Sequence, residues 1–339
     1  MEEAELLAIY DRDGYDEVFI VNPEGDEMAH YVLVNRDDSV ADALPEGAVI
    51  IYVPLEKVII DSEVYAGVFE ELEVTDAIRG MFDTPYVTSP SLKAEILTGL
   101  IEDMGNGMSP NVEKIVSMEP DAIFVSYFEG MQTEGLDRLG APVIKMYDLQ
   151  ESTPMGRAEW IRFLGRLTGR GEEADSIFND GRNRYNAIRE TSNSDGDSGE
   201  RPKVLTELTY DGTWAVPGGR SYQARLIKDA GGMYFKEGDD NPVSINLAPE
   251  QVVVEGSDAD VWVIRYFGDE EQLKGILDSD PLYKEIKAYK EGDVYFSDTS
   301  KSGLFREFPF HPELLLEDYR IIFSGDTVTP MRYFKKLGD

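Results

Sequence analysis

The apolar residues of this chain form different patterns along its length, and the first pattern is that of a small sheet. Apolar runs at residues 6–10, 18–21 and 31–34 are separated by turn residues at Asp13-Gly14 and around Pro23 to Gly25. Short apolar runs bounded by Gly, Pro and Asp are typical of hairpins, so residues 4–35 are predicted to form a β-meander. Its simplest role would be to cover the edge of a larger sheet.

From residue 48 the pattern changes to short apolar strands that alternate with amphipathic helices. Strands are predicted at residues 49–53, 58–60, 78–81, 122–125 and 143–146, with a helix at 64–72. The second half repeats this alternation, with strands at 204–206, 261–264 and 294–296 and helices at 222–230, 270–277 and 312–323. Such alternation predicts mainly parallel sheets with helices on their faces.

Residues 154–189 join the two halves and carry apolar positions at helical spacing, interrupted around Gly169 to Gly171. A polar run at residues 192–199 is predicted to close this segment as a loop. The predicted fold class is α/β, with two Rossmann-like lobes of mainly parallel sheet joined by a long connecting helix, plus an N-terminal β-meander. The predicted boundaries are residues 1–46 for the meander, 47–152 for the N-terminal lobe, 153–192 for the connecting helix and 193–339 for the C-terminal lobe.

Composition supports two folded lobes and excludes several kinds of partner. The chain has 339 residues, of which 42% are hydrophobic and 11% aromatic, enough for two cores. Its formal net charge of -35 repels phosphate backbones, which argues against nucleic acid. It has no Cys and no apolar run of about 20 residues, so disulfides, thiolate sites and a membrane-spanning segment are not expected.

The two halves share a short internal echo. Residues 111–116 form a short helical stretch with an early Glu113 and lead into a buried strand that ends at Tyr127-Phe128. Residues 249–253, with an early Glu250, lead in the same way into a strand that ends at Tyr266-Phe267. Because the carboxyl ends of parallel strands line the ligand crevice of open α/β sheets, both Tyr-Phe pairs are predicted to face a cleft between the lobes.

At these residues the chain resembles a family of binding proteins whose lobes are joined by one rigid helix and which deliver ferric siderophores, haem and cobalamin to ABC importers. The resemblance covers residues 49–323. Its most specific stretches are residues 105–106 with 111–115, 120–125, 154–161, and 212–214 with 217–222.

The resemblance implies a substrate-binding protein of an ABC importer and not an enzyme. The ligand would be an iron complex, either a ferric siderophore or haem, with cobalamin as the alternative. The implied location is extracytoplasmic, periplasmic or anchored to the outer face of the cytoplasmic membrane, and the protein is expected to be a monomer. In family members an exposed Glu on each lobe docks onto arginines of the membrane permease, and Glu113 and Glu250 occupy the matching positions.

Flat or chelated ligands are held by aromatic walls and a few placed charges, which selects candidates in the predicted cleft loops. The arginines are chosen because guanidinium groups hold anionic groups through several donors, as a negative iron chelate or haem propionates would require. Each candidate could instead be a core aromatic or a surface Arg paired with a carboxylate. The predicted ligand-binding residues are Tyr127, Phe128, Trp214, Arg220, Tyr222, Arg265, Tyr266 and Arg306.

Two other functional classes remain open at this point. With only His30 and His311 present, no multi-His metal cage is possible, and neither a metal site nor a resident cofactor is predicted. Phosphate-binding, dinucleotide and Gly-x-Ser-x-Gly motifs are absent, so the enzymatic alternative is a chelatase, which can share a two-lobed architecture. A structural or receptor role independent of a permease is the third possibility.

Overall fold

The computed structural model describes residues 1–37, 44–107, 109–127, 134–196 and 201–338 and divides into two compact units. Unit 1 comprises residues 1–151 and 155–179, and unit 2 comprises residues 152–154 and 180–339. The strands of unit 1 are β1 (Leu7–Arg12), β2 (Tyr15–Val21), β3 (Glu27–Asn35), β4 (Val49–Val53), β5 (Val58–Ile60), β6 (Ile78–Met81), β7 (Glu102–Asp103), β8 (Gly105–Asn106), β9 (Ser109–Pro110), β10 (Ala122–Ser126) and β11 (Val143–Met146). Its helices are α1 (Glu63–Glu71), α2 (Pro90–Thr98), α3 (Val112–Met118), α4 (Glu134–Asp137), α5 (Pro154–Glu159) and α6 (Ile161–Thr168), and α7 (Gly171–Gly196) begins here.

The main sheet of unit 1 has five parallel strands in the order β11-β10-β5-β6-β7. Its central strands are buried on both faces, as their unbroken apolar sequences require. Helices begin where polar side chains cap them: Ser62 accepts from the amide of Val64 at α1, and Asn111 accepts from the amide of Lys114 at α3. The predicted alternation of strands and helices is therefore confirmed.

The predicted meander is confirmed as β1 to β3, which pair antiparallel, but one strand was assigned to the wrong sheet. Strand β4, expected to open the main sheet, pairs parallel with β3 and completes a four-stranded sheet. The hydroxyl of the buried Tyr31 on β3 donates to the carbonyl of Val143 at 2.9 Å and accepts from the amide of Lys145 at 3.0 Å. The small sheet is therefore joined to β11, the edge strand of the main sheet, as the edge-covering role requires.

Unit 2 repeats the architecture with additional strands. Its strands are β12 (Lys203–Thr206), β13 (Thr209–Tyr210), β14 (Thr213–Val216), β15 (Met233–Tyr234), β16 (Ile245–Leu247), β17 (Val261–Tyr266), β18 (Val294–Asp298) and β19 (Lys335–Lys336). Its helices, after the end of α7, are α8 (Tyr222–Asp229), α9 (Pro249–Gly256), α10 (Glu270–Ser279), α11 (Lys287–Glu291), α12 (Leu304–Glu307) and α13 (Pro312–Ser324). The main sheet has the order β15-β12-β17-β18-β19 and is parallel except at β19, while β13, β14 and β16 form a small antiparallel sheet.

The predicted connecting helix is three helices, and the last one is longer than expected. Breaks fall at Trp160 and at Gly169, which ends α6 in the left-handed conformation. Helix α7 continues to Gly196, so the predicted polar loop at residues 192–199 was wrong for residues 192–196; residues 197–200 lie outside the described chain. Ser192 is buried beside Gly231 and donates back to the carbonyl of Ile188, so tertiary packing extends the helix through a stretch that its composition marks as loop.

The two units accord with the predicted α/β fold class, and the chain passes from unit 1 to unit 2 within α7. The four-segment division of the sequence stays a prediction. Among the described residues, no helix combines the length and the apolar character needed to cross a membrane.

Candidate ligand-binding site

In each main sheet the strand order reverses between two neighbouring strands. In both units a polar cluster lies at the carboxyl ends of these two strands. In unit 1 the chain leaves β5 in one direction to β6 and later returns to the other side of β5 with β10. In unit 2 the corresponding neighbours are β12 and β17. Ligands of open α/β sheets bind beyond the strand ends at such switch points.

Asp61 follows β5 and forms the centre of the cluster in unit 1. It accepts hydrogen bonds from the backbone amide and the hydroxyl of Ser126, the last residue of β10. Burial, opposed in part by these hydrogen bonds and reinforced by the nearby Asp148, raises the pKa of the Asp61 carboxyl to about 7. The side chain nevertheless keeps some solvent access. Unit 1 thus presents a carboxyl group that changes charge near neutral pH.

The rest of this cluster is fully buried and ordered by hydrogen bonds. The hydroxyl of Tyr65 donates to Asp148 Oδ1 at 2.7 Å, and Arg157 Nε donates to Asp148 Oδ2 at 2.9 Å. Asp148 and Arg157 are almost fully buried, so the two opposite charges compensate each other within the protein. Asp148 thereby fixes both Tyr65 and Arg157 in place.

Tyr127, the predicted wall residue of unit 1, lies at this edge. Its half-buried ring stacks on Tyr147, with ring centroids 4.8 Å apart, and Lys145 Nζ lies 5.4 Å from the ring centroid. Phe128, predicted beside it, lies outside the described residues.

In unit 2 the equivalent edge carries a half-buried ion pair. Glu207 follows β12, as Asp61 follows β5, and its Oε1 accepts a 2.7 Å hydrogen bond from Arg265 Nε on β17 and a further one from Arg265 Nη2. Arg265 Nη2 also donates to Gln223 Oε1 at 2.7 Å. Burial opposes the charge of Arg265, but the neighbouring Glu207 more than compensates, and the pKa of the guanidinium is raised. Arg265 is thus already paired with Glu207, a residue that the sequence analysis did not select.

A series of aromatic rings begins at this ion pair. The guanidinium of Arg265 lies 5.6 Å from the ring centroid of Phe305, and Phe305 contacts Phe308, which in turn stacks on Tyr222 with centroids 6.1 Å apart. Gln223 donates to the hydroxyl of Tyr222 at 3.2 Å. The structure therefore brings together Tyr222 and Arg265 from the predicted set, with Phe305 and Phe308 as aromatic neighbours.

Arg220 differs from the other predicted arginines in its exposure and its lack of an acidic partner. A β-carbon at Gly218 or Gly219 would overlap backbone oxygens of Asn241 and Asp239, so this Gly-Gly pair permits the close packing of the loop that precedes α8. The amide of Arg220 donates to the carbonyl of Asn241 at 3.0 Å. Within the described ranges no carboxylate pairs with its side chain, although the chain is strongly acidic.

The remaining predicted residues are placed less uniformly. Tyr266 ends β17 half-buried and packs against Gly268, while Arg306 on α12 pairs with Glu307 at 3.1 Å. Trp214 has no exposed surface: its ring packs against Trp262 and Tyr283, and its Nε1 donates to the carbonyl of Thr206 at 3.0 Å. The Gly- and Pro-rich sequence around Trp214 suggested exposure, but its strand β14 covers the core, and we leave it out of the proposed site.

The echo between the halves extends to the two helices that precede β10 and β17. Glu113 is the second residue of α3 and Glu250 the second residue of α9, and both are exposed. Each helix leads into the strand next to the switch point of its own unit. The two glutamates therefore hold equivalent places in the two units.

Comparison with known proteins agrees with this architecture. A family model described as "Periplasmic binding protein" matches residues 58–300, and the chain belongs to this family. Two uncharacterized lipoproteins of Methanocaldococcus jannaschii are 27% and 26% identical to it; the alignments cover 85% and 95% of this chain and 73% and 86% of those proteins.

Solved structures share the fold at low sequence identity. A periplasmic heme binding protein from Pseudomonas aeruginosa has a TM-score of 0.66 at 14% identity, covering 84% of this chain and 99% of that one. The triscatecholate siderophore binding protein from Bacillus subtilis has a TM-score of 0.61 at 19% identity, covering 82% of this chain and 96% of that one.

Family membership confirms the predicted class. The chain is an extracytoplasmic solute-binding protein of the kind that works with ABC importers, not an enzyme, and the chelatase alternative is set aside.

Proposed function

We propose that this protein captures an anionic iron complex, a ferric siderophore or haem, and delivers it to an ABC permease. The observation that carries the choice of an anionic ligand is Arg220, an exposed guanidinium with no carboxylate partner among the described residues of a chain with a net charge of -35. In so acidic a protein an unpaired Arg on a constrained loop is suited to a negative ligand group.

In each unit the proposed ligand contacts lie at the carboxyl edge of the main sheet of that unit. In unit 2 they include Arg220, Tyr222 and Tyr266, with Arg265 and Arg306 as paired charges. In unit 1 they include Tyr127, with Phe128 as the predicted next residue. Solved relatives are described as binding heme, a ferric triscatecholate siderophore and vitamin B12, which supports a large chelated ligand.

Titration calorimetry with a ferric catecholate siderophore, haemin and cobalamin tests the proposal. Replacement of Arg220 by Ala should weaken binding of the iron complex by about tenfold or more, as loss of a hydrogen bond to a charged group predicts. Arg138→Ala is the matched control, because Arg138 is an exposed arginine before the amino end of β11 and loses the same charge. Equal affinity in both variants would contradict the assignment of Arg220.

We further propose that Glu113 and Glu250 dock onto basic residues of the permease. Both are exposed, equivalent in the two units and located in the first turn of a helix. Paired charges on two units would set both the orientation and the register of the complex. The lipoprotein description of the relatives supports attachment to the outer face of the membrane.

A further inference from the structure

A concave site in unit 2 is lined by lysines and lies away from the carboxyl edge of the main sheet, where the iron complex is proposed to bind. It has a volume of about 430 Å³ and is formed by residues from α10, the turn Tyr283–Glu285, α11, the start of β18 and the C-terminal tail. Val294, the first residue of β18, lines it, so the site is at the amino end of that strand. The switch-point cluster lies at the opposite, carboxyl end of the sheet. The lining residues are Lys274, Lys284, Tyr289, Lys290, Gly292, Val294, Leu337 and Gly338.

The residues that line this site carry positive charge, whereas the protein as a whole is strongly acidic. Three of its eight lining residues are lysines and none is acidic, whereas the whole chain has 67 acidic and 32 basic residues. Over the described part of the chain, no carboxylate lies within 4 Å of Lys274 or Lys284. Lys290 has a partner in Glu285, at 3.6 Å. Lys274 is also partly compensated, because its charge helps to lower the pKa of the Glu270 carboxyl, after the Lys335 and Gly338 hydrogen bonds to that group. Three lysines therefore line one concavity, and Lys284 is the one with no carboxylate contact among the described residues.

The walls of the site are held by specific contacts. The hydroxyl of Tyr289 on α11 donates to the carboxylate of Asp278 on α10. This hydrogen bond ties the two helices together. The amide of Leu337 donates to the carbonyl of Val294 at 2.8 Å, and the amide of Gly338 donates to Glu270 Oε1 at 2.9 Å. Lys336, next to the lining residues, pairs with Asp293 at 2.8 Å. The tail is thus fixed against β18 and α10, and the concavity has a defined shape.

We propose that this concavity binds a small multivalent oxyanion, with phosphoryl or carboxylate groups spread over two or three charged centres. Like charges that converge on one site repel each other, and a bound anion relieves that repulsion. The volume falls in the range of small-molecule sites and exceeds what a single inorganic ion needs. Ammonium groups on flexible stems suit oxyanions of either kind, so the structure defines the charge class and leaves phosphoryl and carboxylate sources to be distinguished.

The test uses pyrophosphate and citrate as probes with the full chain, at low and matched ionic strength. Calorimetry gives the affinity, and amide chemical shifts of Gly292, Leu337 and Gly338 give the location. The pocket variants are Lys274→Gln and Lys284→Gln. The matched control is Lys228→Gln, because Lys228 on α8 is exposed in the same unit and does not line the site. Circular dichroism checks that each variant is folded.

The expected result is saturable binding of at least one probe, with shifts at the three amides. Each pocket variant should weaken the affinity for the probe about tenfold, as expected for a lost hydrogen bond to a charged group. Lys228→Gln should leave that affinity unchanged. Preference for pyrophosphate identifies a phosphoryl ligand and preference for citrate a carboxylate ligand.

Three results would overturn the inference: no saturable binding of either probe, equal losses in the pocket and control variants, or a loss that follows Arg220→Ala. The last would place the anion at the carboxyl edge of the main sheet. Because the iron-complex titration depends on Arg220 and this one on Lys274 and Lys284, either proposal can fail without the other.

Discussion

Replacement of Asp61 by Asn should change how the stability of unit 1 depends on pH. The folded protein raises the pKa of this carboxyl from 3.8 to about 7, mainly through burial, so the folded state holds the proton more tightly than the unfolded chain. From about pH 4 to pH 7 the unfolded chain loses this proton first. The contribution of Asp61 to stability is therefore fully present below pH 4 and is lost as pH rises toward 7.

The magnitude follows from the size of the pKa shift. One unit corresponds to about 1.4 kcal/mol, so a rise of about three units would amount to about 4 kcal/mol at full burial. Part of Asp61 remains accessible to water, and we expect about half of that value, roughly 2 kcal/mol. Asn mimics the protonated carboxyl and retains an oxygen that can accept from the amide of Ser126. The variant should gain stability relative to the wild type as pH rises from 4 to 8.

Urea denaturation at a series of pH values, followed by circular dichroism, measures this difference. Asp76→Asn is the control, because Asp76 is an exposed carboxylate of the same unit. The wild-type and control curves should run parallel, while the Asp61→Asn curve diverges by about 2 kcal/mol between pH 4 and pH 8. If the Asp61→Asn curve also ran parallel to the wild type, the burial of a titrating carboxyl at the end of β5 would be refuted.

Three further predictions concern the ion pair, the docking residues and the core. Glu207→Gln removes the carboxylate partner of the half-buried Arg265 and should cost about 1–3 kcal/mol in urea unfolding, as loss of a hydrogen bond to a charged group predicts; an unchanged stability would mean that the pair does not stabilise unit 2. Charge reversal of Glu113 and Glu250 should abolish uptake in cells that carry the cognate permease while calorimetric ligand affinity stays unchanged, and retained uptake would rule out docking through them. Trp214→Phe should lower unfolding stability by about 1–3 kcal/mol without changing ligand affinity, since its ring lies in the core; a weakened affinity would return it to the proposed ligand contacts.

Local pattern predicted most of the elements. The meander strands and helices α1, α8, α10 and α13 follow from apolar spacing. In the structure, Ser62 and Asp269 cap the first turns of α1 and α10. These signals lie within a few residues of the element that they define.

Features that depend on distant partners were not predictable in the same way. The sequence of β4 shows that it is a strand but not that it pairs with β3, and no local signal buries Trp214 against Trp262. The pairing of Glu207 with Arg265 joins residues 58 positions apart. One signal was available, however: Asp61 and Glu207 directly follow predicted strands, and the rule that selected Tyr127 at a strand end applies equally to them.

The most direct test of the central claim is a calorimetric titration of the wild-type protein with a ferric catecholate siderophore, haemin and cobalamin under identical conditions. The proposed function predicts saturable one-to-one binding of an anionic iron complex and no comparable binding of cobalamin. Binding of cobalamin alone, or of none of the three, would contradict it.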